Sequence, residues 1–384
     1  MTGKRLLAAF LGASLLLSGC GPAGGSQGAF DASSEENGKL KVAVTLFPYY
    51  DFVRQIAGDQ VDLQMVIPAG MDSHSFEPTP ADIRTIQHAD VLISNGGTME
   101  HWLKDTLSAL DTSNMTIVTM MDYVDTVEEE IVEGMEDAGH DHDHAHSHAA
   151  ADDHDHSHET PEEHAAHAQE ADDHDHSHET PEEHAAHAQE TDDHDHSDYV
   201  DHDGHEEAIE YDEHIWTSPV NAMKLVDVIG ETLAEADPAH AEVFRQGAAD
   251  YKKELEEIDA GFREVSRNRK RNMIVMGDKF PFRYLADEYQ LDYRAAFSGC
   301  SSDTEPSAKT IAYLIDKVKE EQIPVVYYLE LSSHRVSEII GEETGAEPLL
   351  LHSCHNVTRA QFDAGITYAG LMRQNIENLR KGID

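Results

Sequence analysis

The feature that most constrains the fold of this chain is a long segment, residues 140–197, dominated by histidine, aspartate, glutamate and alanine. Residues 151–170 recur without change at 171–190, and a third copy begins at Thr191. Solenoid proteins also repeat at about this period, but each unit here lacks the apolar residues that would bury one repeat on the next. We therefore predict a disordered loop at about 125–212, with the folded parts of the chain on either side of it.

The negative charge of the chain is concentrated in and around this loop. The formal net charge is -49 at pH 7, and residues 122–213 contain 35 acidic residues and no basic residue. Phosphate recognition needs clustered lysines and arginines, which this chain lacks. The composition therefore predicts no nucleic-acid partner, and cations are the expected ligands.

Nineteen of the 27 histidines lie between residues 140 and 205. A flexible chain has no fixed coordination geometry and loses conformational entropy each time it orders around an ion, so this segment is expected to bind several zinc ions with modest affinity. A purely solubilising loop would explain the carboxylates but not the histidines. We interpret the segment as an auxiliary metal collector, and its expected ligands include His142, His144, His154, His156, His158, His174, His176 and His178.

The N-terminus has the pattern of an export signal. Two basic residues precede an apolar run at residues 6–17, which ends in small residues and Cys20. The run is too short to span a bilayer comfortably, and its end resembles a bacterial lipobox, which implies cleavage before Cys20 and lipid attachment to the thiol. We predict a lipoprotein signal peptide at 1–20 and a flexible tether at 21–39, which would hold the mature protein at a membrane surface outside the cytoplasm.

Outside the loop, strand-like and helix-like patterns alternate. KVAVTLF, VDLQMVIPAG and ADVLISNGG are typical of strands, whereas YYDFVRQIAG and ADIRTIQH are typical of helices. The alternation resumes near the end of the chain with NMIVMGD, FRYLADEY, AKTIAYLIDKVKEE and IPVVYYLEL, and FDAGITYAGLMRQNIENLR is predicted as one closing helix. It predicts two α/β lobes with mainly parallel sheets, at 40–236 and 272–384. In such sheets, ligands lie at the carboxyl ends of the strands.

A long amphipathic helix is predicted between the two lobes, at 237–271. Its apolar residues recur at alternating intervals of four and three, which places them on one stripe. A helix of some thirty residues spans roughly 45 Å, enough to join two lobes along their backs; a coiled coil with a partner is the alternative. The stripe consists of Phe244, Ala248, Tyr251, Leu255, Ile258, Phe262 and Val265.

Three motifs resemble those of a known family. They are GMDSHSFEPTPADI around His74, ISNGGTMEHWL around Glu100 and YDEHIWTSPVNA around His214. Together they resemble the solute-binding lipoproteins of bacterial zinc ABC transporters, the high-affinity zinc-uptake or metal-binding cluster A-I family, many of which carry a His/Asp-rich insertion between the two histidine loops. The resemblance covers most of residues 40–379. It implies two α/β lobes bridged by a long rigid helix, with one metal held in the cleft between them.

The same resemblance implies that His74 and His214 are metal ligands. At the third position, where the family usually reads H-D-A-F-G-Y, this chain reads MGDKFPFRY; Asp278 or Lys279 falls there, and only Asp278 offers an anionic oxygen. At the fourth position, normally an aspartate, His352 matches best. Three imidazoles and one carboxylate suit tetrahedral zinc better than manganese. Further candidates for the metal or its surroundings are His355, Glu330, Glu305 and Cys354.

Two cysteines remain once Cys20 is lipidated. Outside the cytoplasm, a disulfide between Cys300 and Cys354 is one expectation. Two reduced buried thiols are the alternative, and thiolate ligation of zinc by Cys354 is a third possibility, because Cys354 lies beside His352 and zinc accepts sulfur readily.

These observations predict an extracytoplasmic protein that captures Zn²⁺ in the interlobe cleft and delivers it to an ABC permease, with no covalent chemistry. The expected partners are that permease and, through Cys20, membrane lipid; the expected state is a monomer. A surface zinc-storage or adhesion lipoprotein is an alternative. A zinc hydrolase is a weaker one, because HEEAI at 205–209 lacks the second histidine of an HExxH helix.

Overall fold

The computed structural model describes residues 30, 38–135, 210–301 and 305–384. The predicted signal peptide with Cys20, most of the tether, and all the auxiliary histidines of the loop lie outside the described residues. Among the helices within the described ranges, none combines the length and the apolarity that crossing a bilayer requires.

The first sheet is formed by residues that precede the loop. Strand β1 (Leu40–Val44) lies between β2 (Val61–Met65) and β3 (Val91–Ser94), and β4 (Thr116–Thr119) pairs with β3. All of these pairings are parallel. The last three residues of β1 and all of β3 are buried on both faces, as strands in the middle of a helix-covered parallel sheet should be.

Helices follow the strands of the first sheet. They are α1 (Phe47–Ala57), α2 (Pro80–Gln87) and α3 (His101–Ser108), and α4 (Pro219–Ala236) follows the loop. α2 begins at a capping box in which Thr79 and Asp82 exchange side-chain and backbone hydrogen bonds. This start fixes the end of the long loop that connects β2 to α2.

A single helix, α5 (Ala241–Asn268), runs along both lobes. It packs against α1 and α4 and against the C-terminal helix, Tyr368–Ile383. The predicted apolar stripe is confirmed, because each of its residues is buried. Gly247 allows the closest approach, since a Cβ there would lie 2.1 Å from the carbonyl oxygen of Ile56 in α1.

The second sheet repeats the strand arrangement of the first. Its order is β6 (Asp292–Ser298), β5 (Met273–Phe280), β7 (Val325–Tyr328), β8 (Glu347–Leu350), and its pairings are parallel. The predicted fold class is therefore confirmed: two parallel-sheet α/β lobes with one long helix along both. The helices of this lobe are α6 (Arg283–Tyr289), α7 (Ala308–Glu320), α8 (Arg335–Thr344), α9 (Arg359–Asp363) and α10 (Tyr368–Ile383).

The chain is paired across the two ends of the predicted loop. An antiparallel bridge joins Glu128 to Tyr211. The backbone N–H of Asp212 donates to the carbonyl of Val127 at 3.0 Å, and that of Glu129 donates to the carbonyl of Glu210 at 2.9 Å. The described residues thus continue inside the predicted boundaries of 125 and 212, as far as residue 135 on one side and residue 210 on the other.

The predicted disulfide is wrong, because Cys300 and Cys354 are both free thiols. Cys300 lies in the turn after β6, where its backbone N–H donates to Glu129 at 2.9 Å. Cys354 is fully buried in the loop after β8. Burial raises the pKa of the Cys354 thiol well above its usual value, which favours the protonated, non-ligating form.

Candidate metal centre

Three histidines from separate loops meet between the two lobes. His74 lies after β2, His214 lies just before α4, and His355 lies after β8. One ring nitrogen from each lies within 4.8 Å of the corresponding nitrogens of the other two. Four-coordinate zinc with Zn–N bonds of about 2.0–2.1 Å needs nitrogens roughly 3.4 Å apart, so a small inward movement of the rings brings them to coordination distance.

The rings of the three histidines are close on every side of the triangle. Their centroids are 6.2 Å apart for His74 and His214, 5.8 Å for His74 and His355, and 5.6 Å for His214 and His355. The ring of Trp216 lies 5.4 Å from that of His355. This large buried side chain forms an apolar wall behind the imidazoles.

A carboxylate orients His214. Asp212 Oδ1 accepts the backbone N–H of His214 at 2.8 Å and lies 3.2 Å from its ring Nδ1. Both residues are buried. We assign the ring proton to Nδ1 on the basis of this contact, which leaves Nε2 free to bind a metal, as in the carboxylate–histidine pairs of many zinc sites.

The segment that carries His214 is held by hydrogen bonds to both lobes. The Glu213 carboxylate accepts backbone N–H groups from Thr98 and, at 2.7 Å, Met99. On the other side, the hydroxyl of Tyr284 in α6 donates to the carbonyl of Asp212 at 2.7 Å. A Cβ at Gly299 would lie 3.3 Å from His214 Cε1, so the backbone of the second lobe passes close to the imidazole.

His74 is positioned by a local turn. Asp72 Oδ1 accepts the backbone N–H of His74 at 2.9 Å and that of Ser75 at 3.3 Å, the geometry of an Asx turn. Next in the loop, the buried Phe76 packs edge-on against Trp102 with ring centroids 5.0 Å apart. The aromatic anchor and the turn together hold the loop that carries the imidazole.

His355 is oriented by the other lobe. Its Nε2 lies 2.5 Å from the hydroxyl oxygen of Ser73, so we assign Nδ1 as its metal-binding atom. The loops that carry His74 and His355 are further joined by Asn356, whose amide donates to the carbonyls of Pro68 and Met71 at 2.8 and 2.7 Å. The indole N–H of Trp216 donates to the carbonyl of Ser353 at 2.9 Å.

The pKa values favour neutral imidazoles. Burial, followed by the neighbouring His214, lowers the pKa of His74 to about 4. Burial, followed by His214 and His74, holds the pKa of His355 well below its usual value. Because a protonated imidazole has no lone pair to donate, both rings are ready to bind a cation at neutral pH.

The structure differs from the sequence prediction at His352, which does not lie with the other imidazoles. Its ring is completely buried, and its Nδ1 accepts the backbone N–H of Cys354 at 3.0 Å. Its own backbone exchanges hydrogen bonds with Asn375 in α10. Cys354 has φ +60°, and this left-handed residue turns the chain so that His355 faces the cluster in place of His352.

The predicted carboxylate ligand Asp278 is engaged elsewhere. Its Oδ1 accepts the backbone N–H of Lys279 at 2.9 Å, and its Oδ2 accepts that of Leu329 at 3.3 Å. Glu330 accepts the backbone N–H and the hydroxyl of Ser353 at 2.9 and 2.6 Å. Within the described ranges, the metal-type cluster consists of the three histidines alone.

A cavity of about 520 Å³ adjoins the cluster. His74 and His355 line it, together with Asp278, Glu305 and Glu330. The sulfur of Cys354 lies 3.8 Å from the carbonyl oxygen of His352 and is outside the cluster. Asp278, Glu305 and Glu330, which were candidates for the metal or its surroundings, therefore lie close to the site, but none of them belongs to the cluster of three imidazoles.

Comparison with known proteins decides the family. The family described as zinc-uptake complex component A, periplasmic (ZnuA) matches residues 42–382. The chain belongs to this family.

Two relatives illustrate the match within the ZnuA family. The chain is 31% identical over 347 residues to the zinc-binding protein AdcA of Streptococcus pyogenes serotype M18 (strain MGAS8232), covering 90% of this chain and 56% of that protein. It is 26% identical over 369 residues to the high-affinity zinc uptake system protein ZnuA of Bacillus subtilis (strain 168), covering 96% and 94%. The chain therefore spans little more than half the length of AdcA but nearly all of the Bacillus protein.

Solved structures agree with the fold. The Zn(II)-bound ZnuA-like domain of Streptococcus pneumoniae AdcA has a TM-score of 0.61 and 25% identity, and the match covers 90% of this chain and 100% of that domain. The laminin-binding protein Lmb of Streptococcus agalactiae has a TM-score of 0.62 at 20% identity, with 90% and 100% covered. At that identity, the likeness to Lmb supports the fold alone.

Proposed function

We propose that this ZnuA-family chain is an extracytoplasmic solute-binding protein that captures one Zn²⁺ ion through His74, His214 and His355 and delivers it to an ABC permease for import. The proposal rests on the three imidazoles that meet from loops of both lobes. In His214 and His355, the hydrogen-bond partners of one ring nitrogen leave the other nitrogen free to bind a metal. The names of the AdcA and ZnuA relatives, which describe zinc binding and zinc uptake, support the choice of metal.

The donor set also favours zinc on chemical grounds. Imidazole nitrogens suit zinc, whereas manganese prefers more oxygen ligands. The Asp212 carboxylate contacts the outer nitrogen of His214 and thereby strengthens that ring as a donor. Mn²⁺ is therefore expected to bind more weakly than Zn²⁺.

Capture and release require no covalent step. His74 and His214 belong to the first lobe and His355 to the second, so a small change in lobe separation withdraws one ligand and weakens binding. The long helix α5 packs against helices of both lobes, which favours small movements over a wide opening. We therefore propose a binding and transport protein in place of a hydrolase.

Two further parts of the proposal concern residues outside the described ranges. Lipid on Cys20 would anchor the mature protein, as a monomer, to the outer face of the bacterial cell membrane. The histidine-rich loop would raise the local zinc concentration near the cleft. Its two ends are paired at Glu128 and Tyr211, and Asp212, which orients His214, follows directly.

The test is a zinc titration of the mature chain in competition with a strong chelator, which separates a tight site from weak ones. The wild-type chain and the control H88A, which removes an exposed histidine at the end of α2, should each show one tight site. The double variant H74A/H214A should lose it. Retention of tight binding in the double variant would place the site elsewhere, and absence of any tight site in wild type would favour zinc storage by the loop.

A further inference from the structure

The cavity beside the three histidines contains a cation that zinc binding alone does not explain. Lys279 lines this cavity with His74 and His355. It lies in β5, whose pairing with β6 shifts register between Met276 and Lys279. Such an irregularity re-aims the side chains of a strand. Here Asp278 bonds to the backbone of Leu329, and Lys279 faces the cavity.

The Lys279 side chain shares a cavity with two of the proposed zinc ligands, His74 and His355. A lysine next to a divalent cation site is unfavourable unless an anion lies near both charges. No ion pair of Lys279 occurs among the residues that the structure describes.

Most carboxylates near the cavity are already engaged by other groups. Asp278 accepts two backbone N–H groups, as does Asp72 in the His74 turn. Glu330 accepts two hydrogen bonds from Ser353. Glu305 lines the cavity from an exposed position. Of these four carboxylates, it is the one that competes with an external anion for the place beside Lys279 and the zinc ion.

The coordination sphere of the zinc ion also leaves room for an anion. Among the described residues, the cluster offers three neutral imidazoles and no carboxylate, so these ligands do not offset the charge of Zn²⁺ and fill three of its four tetrahedral positions. A cavity of about 520 Å³ is much larger than one water molecule requires and lies in the size range of small-molecule sites. The open position, the spare volume and the lysine therefore lie side by side.

We propose that Lys279 and the bound zinc ion together hold a small carboxylate anion, whose oxygen fills the fourth coordination position. The proposal rests on the zinc site described above and deepens it, because zinc would then be bound as a ternary complex of protein, metal and carboxylate. Lys279 would pair with the carboxylate, and the three imidazoles would hold the metal.

The experiment uses acetate as the probe. Zinc affinity of the mature full-length chain is measured by chelator competition at constant ionic strength, with perchlorate replaced stepwise by acetate and free zinc corrected for acetate binding. A charge-assisted hydrogen bond of the usual strength predicts that acetate tightens zinc binding by about tenfold in wild type. K279Q should lose this response, whereas K319Q, which removes an exposed lysine of α7, should keep it.

Zinc-edge X-ray absorption gives a second readout. Wild type in acetate should show three nitrogen ligands and one carboxylate oxygen, and K279Q should show water in that position. The proposal is overturned if acetate leaves wild-type affinity unchanged while E305Q weakens zinc binding, because Glu305 would then be the fourth ligand. It is also overturned if K279Q responds to acetate as wild type does.

These outcomes are separable from failure of the zinc site itself. The H74A/H214A titration is carried out in perchlorate alone and does not involve acetate. Tight zinc binding in that variant would reject the three-histidine site and the carboxylate proposal with it. Loss of tight binding there, combined with an unchanged acetate response in K279Q, would reject the carboxylate proposal alone.

Discussion

The two lobes supply the metal centre in different ways. The first lobe presents His74 and His214, each with an aspartate two residues earlier that accepts its backbone N–H. The second lobe presents His355, which follows the left-handed residue Cys354 and is oriented by Ser73 of the other lobe. Ligands held by local hydrogen bonds leave a motif in the sequence, whereas a ligand oriented by tertiary contacts does not.

The largest expected loss of zinc affinity follows from removing the ligand of the second lobe. Replacing His355 by alanine should weaken zinc binding by more than about 100-fold, since loss of a direct ligand exceeds the 10–100-fold cost of losing an outer partner. The measurement is a zinc titration of the metal-free protein in competition with a chelator. If His352 were the ligand, H355A would bind zinc almost normally.

The matched variant H352A separates binding from folding. The His352 ring is fully buried and its Nδ1 accepts the backbone N–H of Cys354, so its loss should lower the free energy of unfolding by roughly 2–4 kcal/mol through the cavity it leaves. Urea denaturation of the apo protein measures this change. The folded variant should bind zinc within about threefold of wild type, because the proposed ligand set is intact. A loss as large as that of H355A would contradict the assignment.

The next effect tests the carboxylate that holds His214. In D212N, the amide mimics the shape of Asp212 but carries no charge, so the ring is a weaker donor and its tautomer is less fixed. Zinc affinity should fall by about 10–100-fold. D227N, an exposed residue of α4 that pairs with Lys252, is the charge-matched control and should behave as wild type. Equal affinities for D212N and wild type would mean that His214 is not a ligand.

A smaller loss of zinc affinity is expected when the hydroxyl that orients His355 is removed. Ser73 is a neutral partner, and a typical neutral hydrogen bond contributes about 1 kcal/mol, so S73A should weaken zinc binding about fivefold. The same titration measures it, with S108A on the exposed end of α3 as the control. A loss in S73A greater than that in D212N would reverse the comparison between the lobes.

The smallest effect is that of mild acid on zinc affinity. Because the pKa of His74 is lowered to about 4 and that of His355 is also lowered, protons compete poorly with the metal above about pH 5. Titrations at pH 7.5 and 6 should therefore give similar affinities for the tight site. A steep loss at pH 6 would mean that the cleft histidines titrate normally and are not held as described.

The apo protein should show the opposite sensitivity. In the unfolded chain, His74 titrates near 6.5, so the unfolded state binds more protons than the native state between pH 6.5 and about 4. The stability of the apo protein is therefore expected to fall as the pH drops through that window. H74Q should reduce this fall relative to wild type in urea denaturation, and an unchanged pH dependence would argue against the burial of the ring.

Periodicity was sufficient for the long elements of the fold. The stripe on α5 alternates at intervals of four and three, and each of its members is buried. β4 and β6 were not among the predicted strands. β4 contains two exposed residues, including Ile117, and β6 begins with the exposed Asp292 and the half-buried Arg294, so neither is a continuous apolar run.

The C-terminal helix also differs from its prediction. The stretch FDAGITYAGLMRQNIENLR was predicted as one helix, but α9 ends at Asp363 and α10 begins at Tyr368. Gly365 between them has φ +73°. A glycine within an apparently helical pattern therefore marked a break, which the apolar spacing alone did not reveal.

The choice between His352 and His355 depended on information that spacing does not contain. Leu351 and His352 are both fully buried and continue the path of β8 into the core. The chain turns at Cys354, and a non-glycine residue with positive φ leaves no compositional signal. The same tertiary arrangement brings Ser73 and Asn356 of opposite lobes into the contacts that place His355.

The most direct test of the zinc site is anomalous diffraction at the zinc edge from crystals of the zinc-loaded protein. One strong peak is expected, bonded to His74, to Nε2 of His214 and to Nδ1 of His355. A peak bonded to His352 or Asp278, or a peak with no contact to His355, would contradict the three-histidine site.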